Sequence, residues 1–195
     1  MPYSAGMRKN WRPWAITGGI AEGKSTVLGY LREVGFRTAS ADDVAREVFH
    51  RPDVLRQIEA TFGTADRAEL RVRLGADAGA RRTLNALLHP PTWAALESSE
   101  VEVVEVPLLV EAVLFSHFAG VWVVTCGEEE QRRRLRGRLQ GEDAAVQDRM
   151  ILDLLQVQLP TRAKIAFADR IIHTNLPEAD VRREVLDAAK QEFRP

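Results

Sequence analysis

At 195 residues, with a 45% hydrophobic and 28% charged composition, the chain suits one globular α/β domain with small appended elements. A formal net charge of −1 argues against a dedicated nucleic-acid partner, which calls for a strongly basic face. No apolar run approaches the ~18 residues of a membrane span, so no membrane association is expected and the cytoplasm is the default location.

Residues 1 to 13 mix Pro, Gly, Arg and Asn without periodicity and read as a loose extension. Trp14 to Thr17, stopped by Gly18-Gly19, reads as a first strand. From Ser25, the residues Val27, Leu28, Leu31 and Val34 recur at helical spacing until Gly35. Phe36 to Ala39 reads as a second strand. Residues 43 to 100 read as several short helices broken at Pro52, Gly63, Gly75 and Pro90-Pro91. The β-branched runs Val101 to Val106 and Val121 to Thr125 suit interior strands of a parallel sheet. Helices are expected at about 108 to 117, 128 to 139, 143 to 157 and 161 to 168. Arg170 to His173 is a last strand, and Pro177 opens a final amphipathic helix. This alternation indicates a doubly wound parallel sheet in a three-layer α/β/α fold. The single cysteine, Cys126, reads as a small buried side chain near a strand end.

The chemistry starts at Gly18-Gly19-Ile20-Ala21-Glu22-Gly23-Lys24-Ser25, which fits G-x-x-x-x-G-K-[ST] between a strand and a helix. Glycines let such a loop curl around a phosphate with its N–H groups inward, and the following helix adds the positive end of its dipole. Lys24 is expected to reach the β and γ phosphates of a nucleoside triphosphate, Ser25 to ligate Mg²⁺, and Thr26 to lie near the α phosphate. Gly18, Gly19, Ala21, Glu22 and Gly23 complete the expected cradle. Only Lys9, Lys24, Lys164 and Lys190 of the 27 basic residues are lysine, so an arginine-biased chain places a slim point charge at this loop. Glu22 is expected to point into solvent, because a carboxylate near phosphates is repulsive. The guanine-reading N-K-x-D and the switch D-x-x-G are missing from the sequence, which favours kinases over GTPases.

Beyond the loop, the chain from Ile16 to about Asn175 resembles the dephospho-coenzyme A kinase family. The resemblance is carried by Thr17-Gly18-Gly19-Ile20 with Gly23-Lys24-Ser25-Thr26, and by Ala41-Asp42 with Ala45-Arg46. Leu84 to Pro90 and Val106 to Glu111 extend it, as do Gln131, Arg134 and Arg138 at Q-x-x-R-x-x-x-R spacing. Gln158, Lys164, Ala168-Asp169 and Asn175 close it. It implies a P-loop core over 14–41 and 101–195, an inserted helical substrate domain over 42–100, and a lid over 138–160. The implied reaction is transfer of the ATP γ-phosphoryl group to the 3′-hydroxyl of dephospho-CoA, giving CoA and ADP in the last step of coenzyme A biosynthesis.

Asp42 is then expected to deprotonate the acceptor hydroxyl, although an N-cap of the following helix fits the same position. The resemblance places Arg46 and His89 at the substrate; His89 is equally readable as a helix-end residue. Pro107, Leu108 and Glu111 shape the acceptor pocket in this reading, with Leu108 and Leu109 also fitting plain core. Arg138 is expected to clamp the transferring phosphoryl, whereas Arg132, Arg133, Arg134 and Arg136 read as solvated. The chain departs from the family's pattern at Ser40, where the first Asp of a pair is usual, and at Ala21-Glu22, where Gly-Ser is usual. It departs again at Thr125-Cys126-Gly127 and in a short stretch from Gly63 to Leu70. A nucleoside monophosphate kinase and a regulator with reduced catalysis are the competing readings.

Overall fold

A computed structural model describes residues 11–141 and 143–193; most of the N-terminal extension read from the sequence lies outside them. The chain divides into two compact units, one of Arg12–Thr38 with the chain from Glu102 onward, the other of Ala39–Val101 with Trp11.

The sheet consists of β1 (Trp14–Thr17), β2 (Thr38–Ser40), β3 (Val103–Glu105), β4 (Val121–Thr125) and β5 (Arg170–His173), in the order β2-β3-β1-β4-β5, and β1, β3, β4 and β5 belong to the first unit. The β1–β3, β1–β4 and β4–β5 pairs are parallel, with Ala15 opposite Val104 and Val121. All five residues of β4 are buried, as a strand covered on both faces requires. One cover is α1 (Lys24–Glu33) with α9 (Glu178–Glu192). Val27, Leu28 and Leu31 of α1 and Val181 and Val185 of α9 pack with Ile16, Trp122 and Val124. Each fully buried aliphatic side chain there contributes roughly 1.5–3 kcal/mol. Phe193 closes this core, its ring centroid 4.4 Å from that of Trp122 and 5.1 Å from that of Trp14. Helices α6 (Glu128–Arg138) and α7 (Ala144–Gln156) meet through Leu135 and Ile151, and α8 is the single turn Thr161–Lys164.

The helix expected over 108 to 117 is not formed. Ala112 N donates to the Leu108 carbonyl, but Val113 takes φ +56° and only a short 3-10 turn follows at Phe115–His117. A left-handed residue ends a helix after one turn.

The second unit is helical: α2 (Ala41–Phe49), α3 (Pro52–Phe62), α4 (Arg67–Ala76) and α5 (Ala78–Ser98), packed around Val48, Val54, Ile58, Leu70 and Leu84. The break expected at Pro90-Pro91 is likewise corrected, because α5 runs through both prolines. The two prolines remove two N–H donors, yet Thr92 Oγ1 donates to the Leu88 carbonyl at 2.7 Å, and Leu84, Trp93 and Leu96 stay buried on either side. Trp93 also meets Trp11 edge to face at 6.1 Å, and the Trp11 indole donates to the Val101 carbonyl.

Candidate active site

The phosphate loop leaves β1 at Gly18, whose φ of +147° and position leave no room for a side chain: a Cβ there meets the Val124 carbonyl at 2.3 Å. Gly23, at φ +94°, begins α1, whose first turn has no side-chain cap. Uncapped N–H groups at a helix start are the donors an anion needs. Ala21 holds φ +62°, which a residue with a Cβ adopts at a strain of roughly 1 kcal/mol. Lys24 is buried and arches back over the loop, its Nζ donating to the Gly19 carbonyl at 2.8 Å and lying 3.8 Å from Glu105 Oε1. Ser25 and Thr26 are exposed at the start of α1.

Glu22 is not in solvent. It is 1% exposed, and its carboxylate accepts from Gly19 N, from Thr161 Oγ1 and, at 3.1 Å, from Thr125 Oγ1. The Glu22 carbonyl accepts from Thr174 Oγ1 at 2.6 Å. Donors to every lone pair in use make burial tolerable where repulsion alone suggested exposure.

Arg134 also corrects the reading of a solvated arginine row. Half-buried, it donates to the Thr174 carbonyl and hydroxyl and to the Ala21 carbonyl, and its Nε lies 2.8 Å from Glu130. The bonds from Arg133 and Arg134 hold the Glu130 carboxyl at about 2. Gln131 is buried and donates to the Ile20 carbonyl at 2.9 Å. Arg138 ends α6, exposed.

After β3, Val106 N donates to the Ile16 carbonyl, and the Pro107 carbonyl accepts from Thr17 Oγ1 and, at 2.7 Å, from Lys164 Nζ. Leu109 is core, whereas Leu108 is 43% exposed. Glu111 lies 2.9 Å from Lys164 Nζ and accepts from Leu159 N at 2.8 Å. Burial pushes the Glu111 carboxyl up, but its bonds to Lys164 and to Leu159 N–H prevail and hold it below the usual carboxylate range. A cavity of about 400 Å³ opens beside the loop, lined by Gly19, Glu22, Gln131, Gln158, Thr161 and Arg162 among others.

In the helical unit, Ser40 is the N-cap of α2, its Oγ accepting from Asp43 N at 3.4 Å. The cap is therefore not Asp42, which stands exposed in the first turn and lines a cavity of about 550 Å³. Arg46, 2.8 Å from Asp43, lines the same cavity with Arg67, Arg71 and Arg81 above an apolar floor that includes Phe49, Leu70 and Leu74. His89, half-buried within α5 rather than at a helix end, is not among the residues that line it.

Four groups escaped the sequence reading. Glu105 looked like one more residue of a β-branched run, although a carboxylate at the carboxyl end of the strand beside β1 is itself a signal. Arg67, Arg71 and Arg81 stand on two different helices, and no local motif links them.

The arrangement has known counterparts. Residues 14–179 match the family model described as dephospho-CoA kinase. The dephospho-CoA kinase of Shouchella clausii is 34% identical over 191 residues, covering 89% of this chain and 94% of its own. That of Geobacillus kaustophilus is 33% identical, covering 90% and 94%. Among solved structures, a Thermus thermophilus protein superposes with a TM-score of 0.77 at 26% identity, over 94% of this chain and all (100%) of its own. Dephospho-CoA kinase from Campylobacter jejuni, at 22% identity and a TM-score of 0.56, covers 92% and 96% and shares the fold. With its phosphate loop, parallel sheet and near full-length match, this chain belongs to the dephospho-CoA kinase family.

Proposed function

We propose that each end of the phosphotransfer is handled by the residues just described, ATP at the phosphate loop and dephospho-CoA at the arginine-rimmed cavity of the helical unit. The chain is a kinase that phosphorylates dephospho-CoA from ATP. The observation that carries the donor assignment is Lys24, folded over the Gly19 carbonyl beneath an uncapped helix start. There, the ammonium and the loop N–H groups of Gly18 to Thr26 stabilise negative charge on the β and γ phosphates.

Asp42 takes the proton of the 3′-hydroxyl as its oxygen bonds to the γ-phosphorus; the bond to the bridging oxygen breaks and ADP leaves. A positioned general base of this kind contributes typically 10²–10⁴-fold. Ser40 is what leaves Asp42 for this role, by taking the helix cap on itself. Arg138 clamps the equatorial oxygens, and Arg46 and His89 contact the acceptor with Pro107, Leu108 and Glu111. Residues 42–100 form the substrate domain, residues 138–160 the lid, and residues 14–41 and 101–195 the core. A cytoplasmic location belongs to the same proposal; among the described residues no helix is long and apolar enough to cross a membrane.

Magnesium fits the donor set. The Ser25 hydroxyl, exposed at the start of α1, is a hard oxygen ligand of the kind Mg²⁺ takes beside phosphates. When bound, the ion neutralises charge on the phosphate oxygens.

An ADP-release assay with dephospho-CoA, with AMP and without acceptor tests the acceptor. Turnover is expected with dephospho-CoA; AMP-dependent turnover instead supports a nucleoside monophosphate kinase, and no turnover a regulator.

A further inference from the structure

We infer that Glu22 is a positioning residue of the nucleotide site, tying the phosphate loop to the foot of the 138–160 segment through Thr161. The inference rests on the reading of Gly18 to Ser25 as the ATP loop and goes beyond it.

One buried carboxylate joins three parts of the core unit. Its Oε2 accepts from the loop amide of Gly19 and from the hydroxyl of Thr161, the first residue of α8. Its Oε1 accepts from Thr125 Oγ1 at the end of β4, and that hydroxyl in turn accepts from Gly127 N at 3.1 Å. Gly19 N also reaches Thr161 Oγ1 at 3.1 Å, so amide, hydroxyl and carboxylate form a closed triangle. The geometry is tight as well as bonded: a Cβ on Gly19 meets Gln131 Nε2 at 2.5 Å and Thr161 Oγ1 at 2.9 Å. Two residues before Thr161, Leu159 N is held by Glu111. The C-terminal foot of the 138–160 segment is therefore pinned to the loop on one side and to the Pro107–Glu111 turn on the other.

A serine at position 22 is too short to span these partners, and a glutamine replaces one acceptor oxygen by an NH2 that opposes Gly19 N–H or forces a threonine hydroxyl to turn from donor to acceptor. The carboxylate alone accepts on both oxygens. It holds the N–H of Gly19, the residue whose carbonyl receives Lys24, and so restrains the loop where the ammonium rests. Its effect then falls on ATP affinity more than on the chemical step.

Thr161→Val tests this without changing the charge at Glu22. Relative to wild type, the KM and the dissociation constant for ATP are expected to rise about tenfold, with kcat falling less than about threefold. Thr161→Ser restores both. Glu22→Gln shows the same split, and the Glu22→Gln/Thr161→Val double variant is no worse than Glu22→Gln alone, because one linkage is lost in each. Wild-type ATP affinity in Thr161→Val overturns the inference, as do multiplicative effects in the double variant or equal losses in kcat and affinity. If Glu22→Gln does not fold, the Thr161 pair decides alone. Retained ATP affinity in Lys24→Ala is a distinguishable outcome: it overturns the loop reading, and the inference about Glu22 falls with it.

Discussion

The ammonium of Lys164, fully buried, sits 2.9 Å from the carboxylate of Glu111 and spends a second hydrogen bond on the Pro107 carbonyl. One lysine thus fastens the turn after β3 from both ends, and a buried charge is stable only with such partners. Lys164→Met strands the Glu111 carboxylate. It is expected to lower stability by about 3 kcal/mol, the low end for a broken buried pair, because Glu111 retains some exposure. Thermal unfolding should show a fall of roughly 10 °C, and Lys164→Met/Glu111→Leu should recover most of it.

The same pair makes stability acid-sensitive. The folded Glu111 carboxyl titrates below its ordinary value, so its contribution is complete above the ordinary carboxylate range and is lost as pH falls through the folded value. Urea midpoints of wild type and Glu111→Gln, measured from neutral pH down to about pH 3, should converge on acidification. Parallel curves would remove Glu111 from the acid response.

Asp42→Asn keeps the shape of the α2 start, because the cap is Ser40. Turnover with dephospho-CoA should fall by about 10³-fold, while ATP affinity by equilibrium titration stays within twofold. Ser40→Ala should instead weaken the helix by about 1 kcal/mol.

Arg67 and Arg71 stand one turn apart on α4 and line the cavity with Asp42. An arginine bond to a phosphate is worth about 1.5–3 kcal/mol. Arg67→Ala and Arg71→Ala should therefore each raise the KM for dephospho-CoA about ten- to hundred-fold and leave the KM for ATP near its wild-type value. Equal changes in both constants would place these arginines elsewhere in the mechanism.

How much of this was legible depends on how local its cause is. The strands β1 and β4 announce themselves as apolar runs bounded by glycine or turn residues, and the loop between β1 and α1 is written in consecutive residues. Glu22 was misjudged because its partners Thr125 and Thr161 lie 103 and 139 residues away, beyond any local pattern. Arg134 was misjudged for the same reason, since Thr174 is 40 residues on. The helix expected after β3 failed at Val113, whose left-handed backbone no propensity announces. The prolines of α5 misled in the opposite sense, as burial on both sides outweighed two missing donors. Asp42 was legible as a candidate, but that Ser40 caps in its place needed coordinates.

The placement of the tryptophans has an optical consequence. The four in the chain fall two and two: Trp11 with Trp93 in the helical unit, and Trp14 with Trp122 against Phe193 in the sheet unit. Each unit thus carries an intrinsic fluorophore pair. Trp93→Phe leaves emission weighted toward the sheet and Trp122→Phe toward the helices, so the unfolding of each unit can be followed by its own fluorophores without any added label.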